Sequence, residues 1–343
     1  SGVWTQSSGT LVLTAANGGA AQGAACTVTF DLQHAAAEYT PPTVRISAAV
    51  NNGTTALGSI AQADMVAPNA PLLGVVNGTN PLLVVLPEFD VRKIGQSNPL
   101  AGGSNTITVT IQSNVNLAQA THSSVVTISG LTNAADAASL ALTSVANSGA
   151  SLFSDGSTQG KGALSSGTLT LTVHTAQTVL AGTQYAFSFT ITNPSAEQNA
   201  TTVTIAASGT AVFPASRGAM TTDTGDRYGV TDGGKPIKVI VPSFSVKAIG
   251  QSTPLAGATV TISVTLTANV DFPTDSTVTI AGLTGTQTAD SGSLAVNTSG
   301  LMGTSGNWTQ SPGTLVLTAA DGGTCAQGAA CTVTFDLQHA AAE

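Results

Sequence analysis

The chain has 343 residues, of which only 8% are charged while 42% are hydrophobic, so Ser, Thr, Asn, Gly and Ala make most of its wet surface and disorder is excluded. A formal net charge of -8, from 9 basic and 17 acidic residues with no Lys or Arg cluster, excludes binding to nucleic-acid phosphates or an anionic membrane surface. Membrane insertion is excluded too, because the best apolar run, LLVVL at 82–86, is far short of the roughly 20 residues of a spanning helix and ends at Pro87.

The predicted elements share a period of two. At the start, Leu11, Leu13 and Ala15 alternate with Thr and Val, and Cys26, Val28, Phe30 and Leu32 alternate with Thr, Asp and Gln. A long insertion follows at 51–81. Strands are then predicted at 89–93, 106–112, 124–129, 168–174, 185–192, 202–207 and 237–241, separated by Gly, Asn, Asp and Pro. Two further insertions, 130–166 and 208–235, are long for the domain they interrupt. Beyond them Val260, Ile262, Val264 and Leu266 alternate with Thr and Ser. Such alternation marks half-buried antiparallel strands with one wet face, and outward Thr follows from its β-propensity there. With no convincing amphipathic helix, the fold class is all-β, a two-sheet Greek-key sandwich of immunoglobulin-like type.

Internal repetition organises these strands. GVWTQSSGTLVLTAANGGAAQGAACTVTFDLQHAAAE at 2–38 returns almost verbatim at 306–343, with one inserted residue. VLPEFDVRKIGQSNPLAG at 85–102 matches IVPSFSVKAIGQSTPLAG at 240–257, about 155 positions on. A weaker copy of the end motif lies between, at GTLTLTV and QYAFSFTITNPSAEQ. Substitutions keep parity: Val28, Phe30 and Leu32 become Phe187, Phe189 and Ile191, and Leu82, Val84 and Leu86 become Ile237, Val239 and Val241. The expected organisation is therefore tandem modules of about 155 residues joined end to end, alternating in an A-B-A-B array: the second half of one at 1–87, a complete one at 88–242 and the first part of another at 243–343. One proline and one more residue join neighbours, so the joints should be stiff. Both ends carry the same strand pair, which points to a window of a longer array whose continuation resembles 39–50.

Chemistry-bearing motifs are scarce. There is no HExxH, GxSxG, CxxC or Rossmann GxGxxG, and DGSTQGKGA at 155–163 lacks the spacing and hydroxyl of a phosphate loop. No catalytic residue, cofactor or metal site is expected. His34, His122, His174 and His339 do not cluster, and His34 and His339 are one repeat position. Asp223, Asp226 and Asp232 form an acidic loop that fits either Asx-type turns or a calcium site. Cys325 and Cys331 flank AQGAA, a spacing open to a local disulfide or to buried free thiols. Glycosylation candidates are Asn52, Asn77, Asn199, Asn297 and Asn307, all outside the predicted strands, and glycans there would supply solubility that so few charges cannot.

The strand pattern resembles the tandem immunoglobulin-like sandwich arrays of large secreted surface and filament proteins. IGQSNPLAG and IGQSTPLAG, each followed by TITVT or TISVT, resemble repeat modules in very large extracellular proteins of microalgae and other protists. The resemblance implies an extracellular or cell-surface structural role, with the chain's own modules and neighbouring chains as partners, and carries over no catalytic residue. The expected function is a fibre or appendage of stacked sandwiches. The alternative is an adhesin or carbohydrate-binding array using the long loops, for which Trp4, Trp308, Tyr39, Tyr185 and Tyr228 are the available platforms.

Overall fold

Thr-rich alternation becomes sheet wherever a partner strand lies alongside it. The computed structural model describes residues 2–15, 22–118, 124–209, 211–213, 218–299, 302–319 and 326–341. Among these there is no α-helix, only the short 3-10 turns Gln6–Ser8 and Gly149–Leu152, and the rest of the regular structure is β. The chain is all-β. It divides into two compact units, Ser1–Val66 with Pro81–Leu86, and Ala67–Asn80 with Pro87–Glu343.

In the larger unit, residues 89–222 build two main sheets. One runs in the order Thr143–Ala146, Gln184–Thr192, Ser104–Ser113, Phe89–Gln96, Thr221–Thr222, antiparallel except for the last pair. The other runs Thr204–Ser208, Val125–Ser129, Thr168–Val173, Lys161–Ser165, Ala137–Ala141, with Phe153–Ser154 also paired to Thr168–Val173. Alternate residues Ile107, Val109 and Ile111 of the first and Val126, Ile128, Leu169 and Leu171 of the second are buried. Phe153 meets Phe187 edge-on at 5.6 Å, so the inner faces touch.

Residues 244–338 form a seven-stranded arrangement, in the order Phe244–Gln251, Thr259–Ala268, Ala330–Gln338, Ser291–Thr298, Ser305–Thr309, Thr314–Thr318, Thr277–Ile280. Its core joins Val260, Ile262, Val264 and Leu266 to Val333, Phe335, Leu337, Trp308, Leu315 and Leu317. Trp308 satisfies its indole N–H on the Thr288 carbonyl at 3.0 Å, which removes the penalty of burying it.

The smaller unit consists of two hairpins, Gly2–Thr5 with Thr10–Leu13 and Arg45–Asn52 with Thr55–Asp64, and none of their residues is fully buried. Here three expectations are corrected. Residues 24–35 form no strand, although their near-copy Ala330–Gln338 is one, because in the larger unit Thr259–Ala268 pairs the whole length of that copy. The insertion at 51–81 contains most of the second hairpin, turned at Gly53-Thr54, where Gly53 takes the left-handed backbone of the turn and the bland flanks obscure the strands. The 130–166 insertion is likewise not a loop: it holds Ala137–Ala141, Thr143–Ala146, Phe153–Ser154 and Lys161–Ser165. Its small side chains give little alternation, and neighbouring strands supply the pairing instead.

Six of the predicted strands are found with shifted ends, as Phe89–Gln96, Ser104–Ser113, Val125–Ser129, Thr168–Val173, Gln184–Thr192 and Thr204–Ser208. The segment 237–241 makes only isolated bridges, Val239 to Gln198 and Ile240 to Leu100. It passes between two separate edges, and the left-handed backbone at Ile237 interrupts any longer ladder.

The twin segments allow an internal test. Phe335 and Leu317 are 3% and 0% exposed, whereas Phe30 and Leu13 are 56% and 51% exposed. Leu317→Ala should lower unfolding stability by about 3 kcal/mol, the usual cost of a buried leucine truncation. Leu13→Ala should change it by no more than about 0.5 kcal/mol, as surface positions do. Denaturant titration of the two variants checks this, and equal losses would contradict it.

Candidate functional site

Two neighbourhoods carry the most specific geometry in the chain. The first surrounds the repeated IGQS segment. Gln96 is inward-facing at the end of Phe89–Gln96 and buried. Its Nε2 donates to the carbonyls of Gly233 (2.9 Å) and Lys238 (2.8 Å). Its Oε1 accepts from the Ile237 amide at 2.8 Å and from Asn105 Nδ2 at 3.0 Å. Asn105 Nδ2 also donates to Asn193 Oδ1 at 2.8 Å, and Asn193 Nδ2 donates to the carbonyls of Asn98 and Leu100 at 2.8 and 2.9 Å. All three amides are buried and each is satisfied, so the network fixes segment 233–240 over the edge of Phe89–Gln96. Alternation alone gave no sign of this network. A polar Gln at inward parity, preserved between two copies, was the available signal.

The second neighbourhood is a turn clasped to the segment just past the next pair of strands. Leu72 and Val75 bridge one another, and the Leu73 carbonyl accepts from the Asn116 amide at 2.8 Å. Further along, Arg227 and Val230 bridge, and the Tyr228 carbonyl accepts from the Asp271 amide at 2.8 Å. Asn116 Oδ1 accepts from Ala181 N at 2.8 Å, and Asp271 Oδ1 from Gln327 N at 2.7 Å. Gly74 and Gly229 have φ of 79° and 74°, and a Cβ on them would lie 2.3 and 2.5 Å from the Asn116 and Asp271 side chains. Glycine is required at both by backbone conformation and by space.

The predicted site residues are dispersed. Asp223 pairs with Arg227 at 2.6 Å and accepts from the Gly225 amide, Asp226 accepts from the Asp232 amide at 2.9 Å, and Asp232 meets Lys235 at 2.8 Å. That Lys235 contact holds the Asp232 carboxyl below its ordinary range. The acidic loop thus spends these oxygens on turns and ion pairs. In DGSTQGKGA, Asp155 accepts from Ser139 Oγ at 2.6 Å and from the amides of Ser157 and Thr158 at 3.0 and 2.8 Å, so the amides a phosphate would use are taken.

All five sequon asparagines are exposed. Asn77 and Asn199 lie between strands, but Asn52, Asn297 and Asn307 lie in Arg45–Asn52, Ser291–Thr298 and Ser305–Thr309, correcting their placement outside strands. A polar residue on the wet face of a strand resembles a loop residue in sequence. Cys331 is buried and disulfide-bonded, Cys26 is an exposed free thiol, and Cys325 lies outside the described residues, as does His122. His339 Nε2 lies 3.0 Å from the Thr253 carbonyl, and His34 is exposed. Of the aromatic platforms, Trp308 and Tyr185 are buried, while Trp4, Tyr39 and Tyr228 are exposed. A groove of about 280 Å³ is lined by Ala200, Thr201, Thr202, Val203, Met220, Thr222 and Lys235, and its one ionisable group is the lysine already paired with Asp232.

No family model and no curated protein matches the chain. Among solved structures, the collagen adhesin (CNA) of S. aureus is similar at 11% identity over 75% of this chain and 81% of that one; its TM-score of 0.17 gives the likeness no weight. The coordinates themselves define the class, an all-β protein of several sheets.

Two outcomes are expected. Gln96→Leu leaves the Ile237 amide and two carbonyls without their partner, and should cost about 3 kcal/mol in unfolding stability. At dilute concentration Gln251→Leu, at the exposed repeat position, should be near neutral. The Asp155 hydrogen bonds from Ser139, Thr158 and Ser157 lower its pKa well below the ordinary 3.8. Their stabilising effect is present above the ordinary value and is lost as pH falls through the lowered folded value. Carboxyl-detected NMR should find the Asp155 midpoint clearly below 3.8, and a midpoint at or above it contradicts the assignment.

Proposed function

We propose that the chain is a structural protein built of immunoglobulin-like Greek-key sandwich modules of about 155 residues, the second half of one at 1–87, a complete one at 88–242 and the first part of another at 243–343, that stack end to end in an extracellular fibre or cell-surface appendage. One observation supports this reading: the bonds made just after Pro87 recur just after Pro242. The Glu88 amide donates to Asn114 Oδ1 at 2.9 Å and the Ser243 amide to Asn269 Oδ1 at 2.7 Å. The reverse bonds, Asn114 N to the Glu88 carbonyl and Asn269 N to the Ser243 carbonyl, are 3.1 and 3.0 Å. The clasp of Leu73 on Asn116 and of Tyr228 on Asp271 repeats with them. A turn docked on the segment after the next strand pair, beside two mutual hydrogen bonds and a proline, recurs from one copy to the next, and such repetition is what a rod of like modules requires.

On this reading the chain's partners are its own modules and neighbouring chains, it has no enzymatic activity, and exposed Asn52, Asn77, Asn199, Asn297 and Asn307 are open to glycans. A Cys325–Cys331 clip would suit an oxidising compartment. Of the aromatics that the adhesin alternative would use, Trp308 and Tyr185 are core rather than platform, which leaves it Trp4, Tyr39 and Tyr228.

Electron microscopy of native material tests the function. A filament is expected whose axial repeat is commensurate with one or two modules. Isolated, freely hinged particles would contradict it.

A further inference from the structure

We propose that the parallel seam between residues 93–101 and 221–240 is a shear latch, closed by Gln96, that keeps the 88–242 module folded when the chain is pulled from both of its sides. The inference deepens the stacking reading above and rests on it for one thing, that tension reaches the module along the chain.

The seam joins the first strand of the module to its last segment. Thr221 and Thr222 lie parallel to Lys93 and Ile94, and the Asp223 amide donates to the Ile94 carbonyl at 3.0 Å. Gly95 leaves room for this approach, since a Cβ there would lie 2.9 Å from that of Asp223. Residues 224–233 leave the seam to form the turn whose Tyr228 carbonyl accepts from the Asp271 amide. Beyond it the Gln96 amide donates to the Gly234 carbonyl at 2.9 Å, the Ile240 amide to the Pro99 carbonyl at 2.8 Å and the Ala101 amide to the Ile240 carbonyl at 2.9 Å, with Leu100 and Ile240 again paired in parallel. Between Gly234 and Ile240, where left-handed Ile237 breaks the ladder, the Gln96 side chain takes over, bonding the Gly233 and Lys238 carbonyls and the Ile237 amide.

The direction of pull follows from the order of the chain. It enters the module at Glu88, held to Asn114 beside the start of Phe89–Gln96, and leaves at Val241, just past the contact of Ile240 with Pro99 and Ala101. Entry and exit thus lie at opposite ends of an eight-residue strand, roughly 25 Å apart at about 3.3 Å per residue. Because the two segments are parallel, drawing these ends apart slides one past the other, and the hydrogen bonds between them, which cross from segment to segment, are strained together. Pulled apart at one end only, the same bonds break singly. Forced unfolding is governed by the barrier to unfolding, so straining the bonds together raises the force the module withstands. Gln96 is buried, which keeps water from replacing its bonds as they stretch.

Single-molecule pulling tests this on the full chain in a Cys26→Ser background. Handles on Glu88→Cys and Ser243→Cys pull along the seam, and handles on Ser104→Cys and Ser243→Cys pull its exit end apart. At equal loading rate the first pair should rupture at a force at least about twofold higher, releasing roughly 500 Å from about 155 residues. Gln96→Leu should lower that force by about half. Leu169→Ala truncates the core of the facing sheet and should leave the force unchanged although it lowers equilibrium stability. If Gln96→Leu does not fold, Asp223→Pro, already the residue at the equivalent position 68, deletes the bond to Ile94 and gives the same comparison. Equal forces for the two pairs of handles, a force that these seam variants leave unchanged, or one lowered as much by Leu169→Ala overturns the proposal. Filaments in micrographs with equal forces defeat the latch and leave the stacking intact; unequal forces without filaments do the reverse.

Discussion

An alternating strand hides its apolar face only when a partner strand and a facing sheet are present together, and every feature of this protein follows from where they are. The near-identical segments 2–34 and 306–339 make the constraint visible. Trp308 is 1% exposed and Trp4 42%, although the residues around them are almost the same. Each large side chain buried against a partner gains roughly 1.5–3 kcal/mol, and ordering a backbone residue costs about as much. Without the partner the gain is missing, and 24–35 forms no strand at all.

Polar burial is matched to the same requirement. Gln96, Asn105 and Asn193 form a closed amide network because segment 233–240 brings the remaining donors and acceptors. In the later copy Val260 stands at the Asn105 position, His339 at the Asn193 position, and Gln251 is exposed. His339 still reaches the Thr253 carbonyl, as Asn193 reaches that of Asn98, so the turn remains pinned while the rest of the network is gone. A half-satisfied buried network would be worse than an apolar core, and replacing Asn105 by valine avoids it.

The repeated turn contacts use the low charge of the chain. Main-chain amides, three asparagines and one aspartate make them, and glycine lets the backbone come close at Gly74 and Gly229. Little ionic hydration has to be removed to dock such surfaces, which makes a surface of small polar residues suited to the proposed stacking. The three ion pairs among the described residues are all local or exposed and contribute little to cohesion.

Much of the fold was legible as period. Ile107, Val109 and Ile111 announce a strand because each second side chain must face the core, and copies preserve that parity since only the inward face is constrained. The Ala137–Ala141 and Arg45–Asn52 strands were not legible, because small or polar side chains leave no alternation to read and pairing with neighbours makes them strands. The candidate site was partly legible: IGQS stands out as repeated, but nothing in sequence ties Gln96 to Gly233 and Lys238, more than a hundred residues away. The amino-acid order by itself determined the all-β class, the repeat and the inward set of side chains, since these depend on local chemistry and parity. Which copy of that set is buried, and which is exposed, was decided only by tertiary structure, because burial belongs to a pair of surfaces and one strand's sequence specifies only half of it.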